Sequence, residues 1–172
     1  MEETPVDAFW KTILWQQFGA AIDMLENAMR ACPDELWRAP SRPPAFGDFW
    51  YIVYHTLFFL DLYLSGSLDG FAPPAPFTLE ELDPAGILPE RPYSKAELLG
   101  YLERGRNKCR TTIAALTMAQ ARRLCRFAWG EASFAELLLD NMRHVQEHTA
   151  QLNWILGQKT GFAPRWVMRT NK

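Results

Sequence analysis

Asn141-Met142-Arg143-His144-Val145-Gln146-Glu147-His148-Thr149-Ala150-Gln151 is the stretch on which the reading of this chain turns. His144 and His148 are four residues apart. On an α-helix four residues turn about 400° and rise about 6 Å, so both imidazoles point the same way, one turn apart. Asn141 and Gln151 extend that line, since 141, 144, 148 and 151 step by three, four and three. A stripe at this spacing is ordinarily apolar and faces a core. The only other histidine, His55, also lies in a strongly apolar, helix-like stretch. Every histidine of the chain therefore falls where burial is expected.

The sequence around this stretch reads as helix. Ser133 and Glu136 form a capping-box pattern that starts it, and Gly157 or Gly161 stops it. Phe134, Leu138, Asn141, Val145, His148, Leu152 and Ile155 make its inner face. Upstream, Leu124 to Trp129 reads as an extended segment or a short hairpin before Gly130. A second capping box, Ser94 with Glu97, opens a helix over 95–116. Its inward residues are Leu98, Leu102, Cys109, Ile113 and Leu116, with Gly105 permitting close helix approach and Arg106 at the edge.

Toward the N-terminus, Gly47-Asp48 opens an apolar helix with Asp48 as candidate N-cap, and Ser65-Gly66 ends it. Tyr51, His55, Phe58 and Leu62 form one of its stripes. A first helix over 7–30 starts after Thr4-Pro5 and ends at Cys32-Pro33. Trp10, Leu14, Gln17, Ala21, Met24 and Ala28 form its expected inward line, which Gln17 interrupts. Pro40, Pro43, Pro44 and Gly47 mark a connection after it, with one short turn of helix. The segment 66–93 holds Pro73, Pro74, Pro76, Pro84, Pro89 and Pro92 and is far longer than the usual helix–helix connection of about 2–8 residues. It reads as a crossover, with a helical turn at Thr78–Leu82. The tail keeps Phe162, Trp166 and Val167, which are expected to pack back on the helices. The sum is an all-α four-helix bundle in one domain, residues 1–172.

Composition narrows the function classes. At 172 residues the chain can bury roughly 70% of its unfolded surface. A net charge of −2 gives no electrostatic reason to expect nucleic acid or an anionic membrane as partner. The longest apolar run, Phe49 to Leu64, contains His55 and Asp61 and reads as a core helix, not a membrane span. No secretory leader is expected from the acidic start. Cys32, Cys109 and Cys125, odd in number and widely spaced, read as free thiols of a reducing, cytoplasmic setting. Seven tryptophans and eleven phenylalanines predict a bulky aromatic core, with room for an aromatic-lined pocket or interface.

A His-x3-His pair on one helix offers two nitrogen ligands, and a histidine on a neighbouring helix offers a third. Three protein ligands leave a position for water or substrate, as in catalytic metal sites. Imidazole suits zinc, nickel, copper and iron, so the residue types do not choose the ion. The plainer reading is three core histidines satisfied by hydrogen bonds. Gln17, Asn141 and Gln151 are pocket candidates because they interrupt inward stripes; ordinary buried hydrogen bonding across helices explains them equally well. Glu147 shares a stripe with Glu136, Asp140 and Arg143 that reads as a solvated face. Arg106 reads as a snorkelling edge arginine, Cys109 as a buried inert thiol, and Trp10, Tyr51 and Phe58 as core.

The pattern resembles the DinB superfamily. That family joins a histidine early in the second helix to a His-x3-His in the last long helix, often with Gln three residues on. Tyr54-His55, His144-x3-His148 and Gln151 match it, as does the approach from Phe134 to Leu139. The resemblance covers nearly the whole chain in element order. It implies an up-down-down-up bundle, a divalent metal (zinc or nickel) held by His55, His144 and His148, and a homodimer. It also implies chemistry on a small-molecule substrate, since relatives include thiol-dependent S-transferases, a mycothiol-dependent isomerase and metal-dependent hydrolases. Two functions follow as expectations: a metalloenzyme that transfers a low-molecular-weight thiol or hydrolyses its substrate, and a non-catalytic, metal-braced stress-response or binding protein.

Overall fold

The computed structural model describes residues 6–41 and 47–172. Thr4-Pro5, Pro43 and Pro44 lie outside the described residues. Four long helices dominate: α1 (Ala8–Ala31), α3 (Phe49–Ser65), α4 (Lys95–Ala115) and α6 (Phe134–Thr160). Short helices α2 (Asp34–Arg38) and α5 (Met118–Arg122) and a 3-10 turn at Glu80–Leu82 fill the connections. The chain is mostly helical, as expected, but not wholly so. The stretch read as extended segment or hairpin is a hairpin of β1 (Leu124–Phe127) and β2 (Gly130–Ser133), paired antiparallel with Leu124 opposite Ser133.

Both capping boxes form. The Ser94 and Ser133 hydroxyls accept from the backbone N–H groups of Glu97 and Glu136, whose carboxylates bond back. Asp48 does not cap α3 through its side chain; its carboxylate accepts from the Ser41 N–H at 2.5 Å and so fastens the preceding connection. α6 runs on to Thr160, with Gly161 in the left-handed conformation as its stop.

Each long helix packs chiefly on two others: α1 on α4 and α6, and α3 on α4 and α6. The core runs between them through Phe18, Ile22, Leu25, Tyr54, Leu102 and Leu138. α4 comes close to α3 at Gly105, where an added Cβ would lie 2.9 Å from a methyl of Leu60. Almost all of α3 is buried, and His55, Phe59 and Ser65 are its only half-exposed positions. His55 and Phe59 are one turn apart, so a single strip of this helix reaches toward solvent.

Three expectations are corrected. Trp10 is 62% exposed and Gln17 is exposed, whereas Leu14 packs on the core and Ala21, Met24 and Ala28 of the same expected line are buried. Burial begins at Phe18, and the inner face follows Phe18, Ile22, Leu25 and Met29. Arg106 does not snorkel at the edge. Its guanidinium is buried and ion-paired with Asp23, with Glu26 at 2.6 Å and with Glu103 at 3.3 Å, because α1 lays both of its carboxylates over the α4 face. The tail returns to the bundle, but not on its aromatics: Phe162 and Trp166 are exposed and Val167 half-buried. Thr170 is the buried residue there, donating to Asp23 at 2.7 Å, while Lys172 donates to Glu26 at 2.6 Å. Gly19 makes the room, since a Cβ at that position would stand 2.4 Å from the Thr170 methyl.

Among the described residues no helix is long and apolar enough to cross a membrane. Tyr51 and Phe58 are core, as expected, and all three cysteines are buried free thiols. Burial pushes the Cys109 thiol up, away from thiolate character at neutral pH.

Candidate metal centre

The α3–α6 contact places His55 against the His144–His148 pair. The Nε2 atoms lie 3.2 Å apart between His55 and His144, and 3.1 Å apart between His144 and His148. The ligand atoms of all three fall within 4.8 Å of one another.

The outer ring nitrogens explain this orientation. Nδ1 of His148 bonds the side-chain oxygen of Gln151 at 2.8 Å. Nδ1 of His55 bonds the Glu81 carboxylate. An amide oxygen and an ionised carboxylate only accept, so each Nδ1 carries the proton and each of these two Nε2 atoms presents a bare lone pair. His144 Nε2 can donate its one proton to only one of two neighbours. Hydrogen bonding alone therefore satisfies one of the two close contacts and leaves the other as two facing lone pairs. His144 Nδ1 is buried and has no hydrogen-bond partner among the described residues.

The electrostatics favour the neutral form of His144 and His148. Burial, and then the neighbouring His148 and His55, push the His144 pKa down to about 3. Burial also lowers the His148 pKa, against the opposing pull of the Gln151 bond. Phe59 packs at 4.8 Å from the His55 ring and 5.6 Å from His144, between ring centroids. Tyr63 stands at 6.3 Å from His144, and Trp129 of the hairpin turn donates to its hydroxyl at 3.1 Å. Aromatic bulk thus displaces water from one side of the cluster.

The donor set fits a divalent cation. Two nitrogens each about 2.0–2.1 Å from a shared ion lie about 2.8–3.4 Å apart for bond angles between roughly 90° and 110°. Two of the three separations fall in that range, and all three ligand atoms lie within 4.8 Å of one another. Neutral imidazole is the ligating form, and the depressed pKa values preserve it.

The pocket candidates part ways. Gln151 touches the cluster through His148. Asn141 is fully buried and donates to the Leu60 carbonyl at 3.1 Å, tying α6 to α3. Gln17 donates to the Met168 carbonyl at 3.1 Å and so holds the tail. Glu147 is exposed, as its stripe implies. Sequence reasoning missed Glu81 and the hairpin aromatics; the acidic pair Glu80-Glu81 inside the expected turn at 78–82 was the available signal. Two cavities flank the cluster along α6. One, of about 540 Å³, is lined by Tyr63, Phe127, Trp129, Leu137 and Arg143; the other, of about 1230 Å³, by Gln151, Ile52, Trp154 and Ile155.

Comparison with known proteins agrees with this geometry at the level of family. The profile of the DinB superfamily matches residues 17–152, a span that includes all three histidines and Gln151. No curated protein and no solved structure matches the chain.

Proposed function

The chain belongs to the DinB superfamily, and from that premise we propose a metal-dependent enzyme in which His55, His144 and His148 hold one divalent ion, zinc or nickel, through their Nε2 atoms. The observation that carries this reading is the pair of 3.1–3.2 Å contacts among Nε2 atoms whose outer nitrogens are already engaged or buried. Such an ion supplies a Lewis acid with an open position, which lowers the pKa of a bound thiol or water. The reaction class is transfer of a low-molecular-weight thiol to a small-molecule substrate, with hydrolysis as the second reading.

The protein's own residues support that class in three ways. Three neutral imidazoles cancel none of the ion's charge, which favours an anionic partner. No carboxylate is needed as a base, and Glu147 faces solvent. Phe59 and Tyr63 lower the local dielectric beside His144. The up-down-down-up helix order, a homodimer and a reducing, cytoplasmic setting belong to the same proposal. The family resemblance supports the first two, and three free thiols support the third.

The competing function is a non-catalytic, metal-braced binding protein. Titrating a small thiol into the cobalt-loaded protein separates the two. The enzyme reading expects a thiolate-to-cobalt charge-transfer band well below the free thiol's pKa of about 8.5. Cobalt demonstrably bound with no such band rules out thiol transfer and leaves the braced reading ahead.

A further inference from the structure

The crossover is the longest connection of the chain, and one of its side chains reaches the histidine cluster. Glu81 lies in the 3-10 turn Glu80–Leu82, and its carboxylate is only 6% exposed. One of its oxygens holds Nδ1 of His55. The Tyr51 hydroxyl donates to the same carboxylate, at 3.0 and 3.2 Å from its two oxygens. Tyr51 and His55 are four residues apart on α3, so one helix face offers two donors to one acceptor from the crossover. A second bond, from the Tyr54 hydroxyl to the Thr78 carbonyl at 3.3 Å, fastens the same part of the crossover to α3.

We propose that Glu81 is a positioning residue for the tri-histidine centre, fixing His55 with its proton on Nδ1, and that through this bond metal loading tightens the crossover onto α3. The inference rests on the metal reading of the preceding subsection. The physical reason is direct. A buried carboxylate that accepts from Nδ1 leaves Nε2 as the only bare nitrogen, sets the ring plane and makes that nitrogen a better donor to a cation. His148 receives the same service from an amide, Gln151, on its own helix. His55 receives it from a segment 26 residues away, with no regular secondary structure around it beyond one turn. Binding at Nε2 polarises the Nδ1–H bond and strengthens its hold on Glu81. The crossover thereby senses the state of the site. Glu81 does not itself point at the ion position, since it engages the outer nitrogen of the ring.

The test uses the full chain and zinc alone as the probe. Zinc affinity is measured by chelator competition for wild type, Glu81→Gln, Glu81→Ala and Tyr51→Phe. The proposal expects affinity to fall by about 10–100-fold in Glu81→Ala, by less in Glu81→Gln, which keeps an acceptor without its charge, and least in Tyr51→Phe. Nitrogen chemical shifts of the His55 ring in the metal-free protein provide a readout that simple loss of packing does not mimic. Wild type should carry the proton on Nδ1, and Glu81→Ala should lose that preference. Hydrogen exchange over 78–82 should slow on adding zinc to wild type and respond less in Glu81→Gln, whose near-identical shape keeps the fold. Unchanged zinc affinity in both Glu81 variants, or a wild-type His55 protonated on Nε2, overturns the proposal and leaves the metal site standing. Wild type that takes up no zinc at these histidines overturns the metal reading itself.

Discussion

Two polar clusters, one buried and one half-buried, lie on different helix pairs, and they differ in how completely their own atoms satisfy them. Between α1 and α4, Arg106 meets Asp23, Glu26 and Glu103, and the tail adds Thr170 and Lys172 to the same carboxylates. Positive groups face negative ones throughout. Between α3 and α6, three imidazole nitrogens face one another, and His144 Nδ1 has no partner among the described residues. A cluster of the first kind needs nothing from outside the chain. One of the second kind becomes favourable when an electron-pair acceptor joins it. Burial alone does not mark a functional site; burial combined with unmet bonding capacity does.

Substitutions should separate the two clusters by their effect on the metal-free fold. The largest loss is expected for Arg106→Met, which removes the buried guanidinium between Asp23 and Glu26 and leaves them only Thr170, Lys172 and Arg30. Breaking a buried pair in this way costs about 3–5 kcal/mol, read as a lowered urea midpoint. The folded fraction should still take up its metal. A smaller loss, about 1–3 kcal/mol, is expected for Gly19→Ala, because its Cβ would collide with Thr170 and lift the tail. Limited proteolysis after residue 161 should then accelerate, with the histidine cluster untouched.

Acid should weaken both clusters, in different ranges. The Glu26 pKa is lowered: its bonds to Lys172 and Arg30 and the Arg106 charge outweigh burial, the largest single cause, which acts the other way. The unfolded chain thus binds the proton first, and the stability held above the ordinary carboxylate value is lost as pH falls through it. Burial chiefly depresses His144, to about 3 from an ordinary 6.5. The sign is the same: between those values the unfolded chain binds more protons, so stability declines as pH falls from about 6.5. Urea titrations of metal-free protein at several pH values should show both declines. The upper one should shrink in His144→Leu, with the lowered His148 supplying what is left of it, and the lower one should persist.

The smallest effect on the metal-free fold is expected for His148→Ala, less than about 1 kcal/mol by the range for half-exposed positions. Bound zinc should nonetheless fall to a small fraction of one equivalent. A change that barely moves stability and abolishes metal uptake is the reverse of the Arg106→Met outcome.

The helices were legible because local signals agreed with tertiary structure. Ser94 with Glu97 and Ser133 with Glu136 marked two helix starts, and the apolar run at 49–64, interrupted by His55 and Asp61, read better as a core helix than as a membrane span. The histidine cluster was legible because polar residues on an apolar face conflict with burial unless they have a use. The inward line of α1 holds at Leu14, Ala21, Met24 and Ala28 but not at Trp10 and Gln17, which are exposed. The partners of Arg106 went unseen because Asp23 and Glu26 lie off that line and meet Arg106 only across the α1–α4 packing. Glu81 left no periodic signal at all, because a loop residue acquires its neighbours only from the path of the chain.

The central claim is that three Nε2 atoms hold one cation. Crystals grown with zinc, with diffraction recorded on either side of the zinc absorption edge, test it most directly. The account predicts a single anomalous peak about 2.0–2.1 Å from the Nε2 atoms of His55, His144 and His148, with Nδ1 of His55 still on Glu81. A peak bound through any other atoms, or no peak between these three rings, would contradict it.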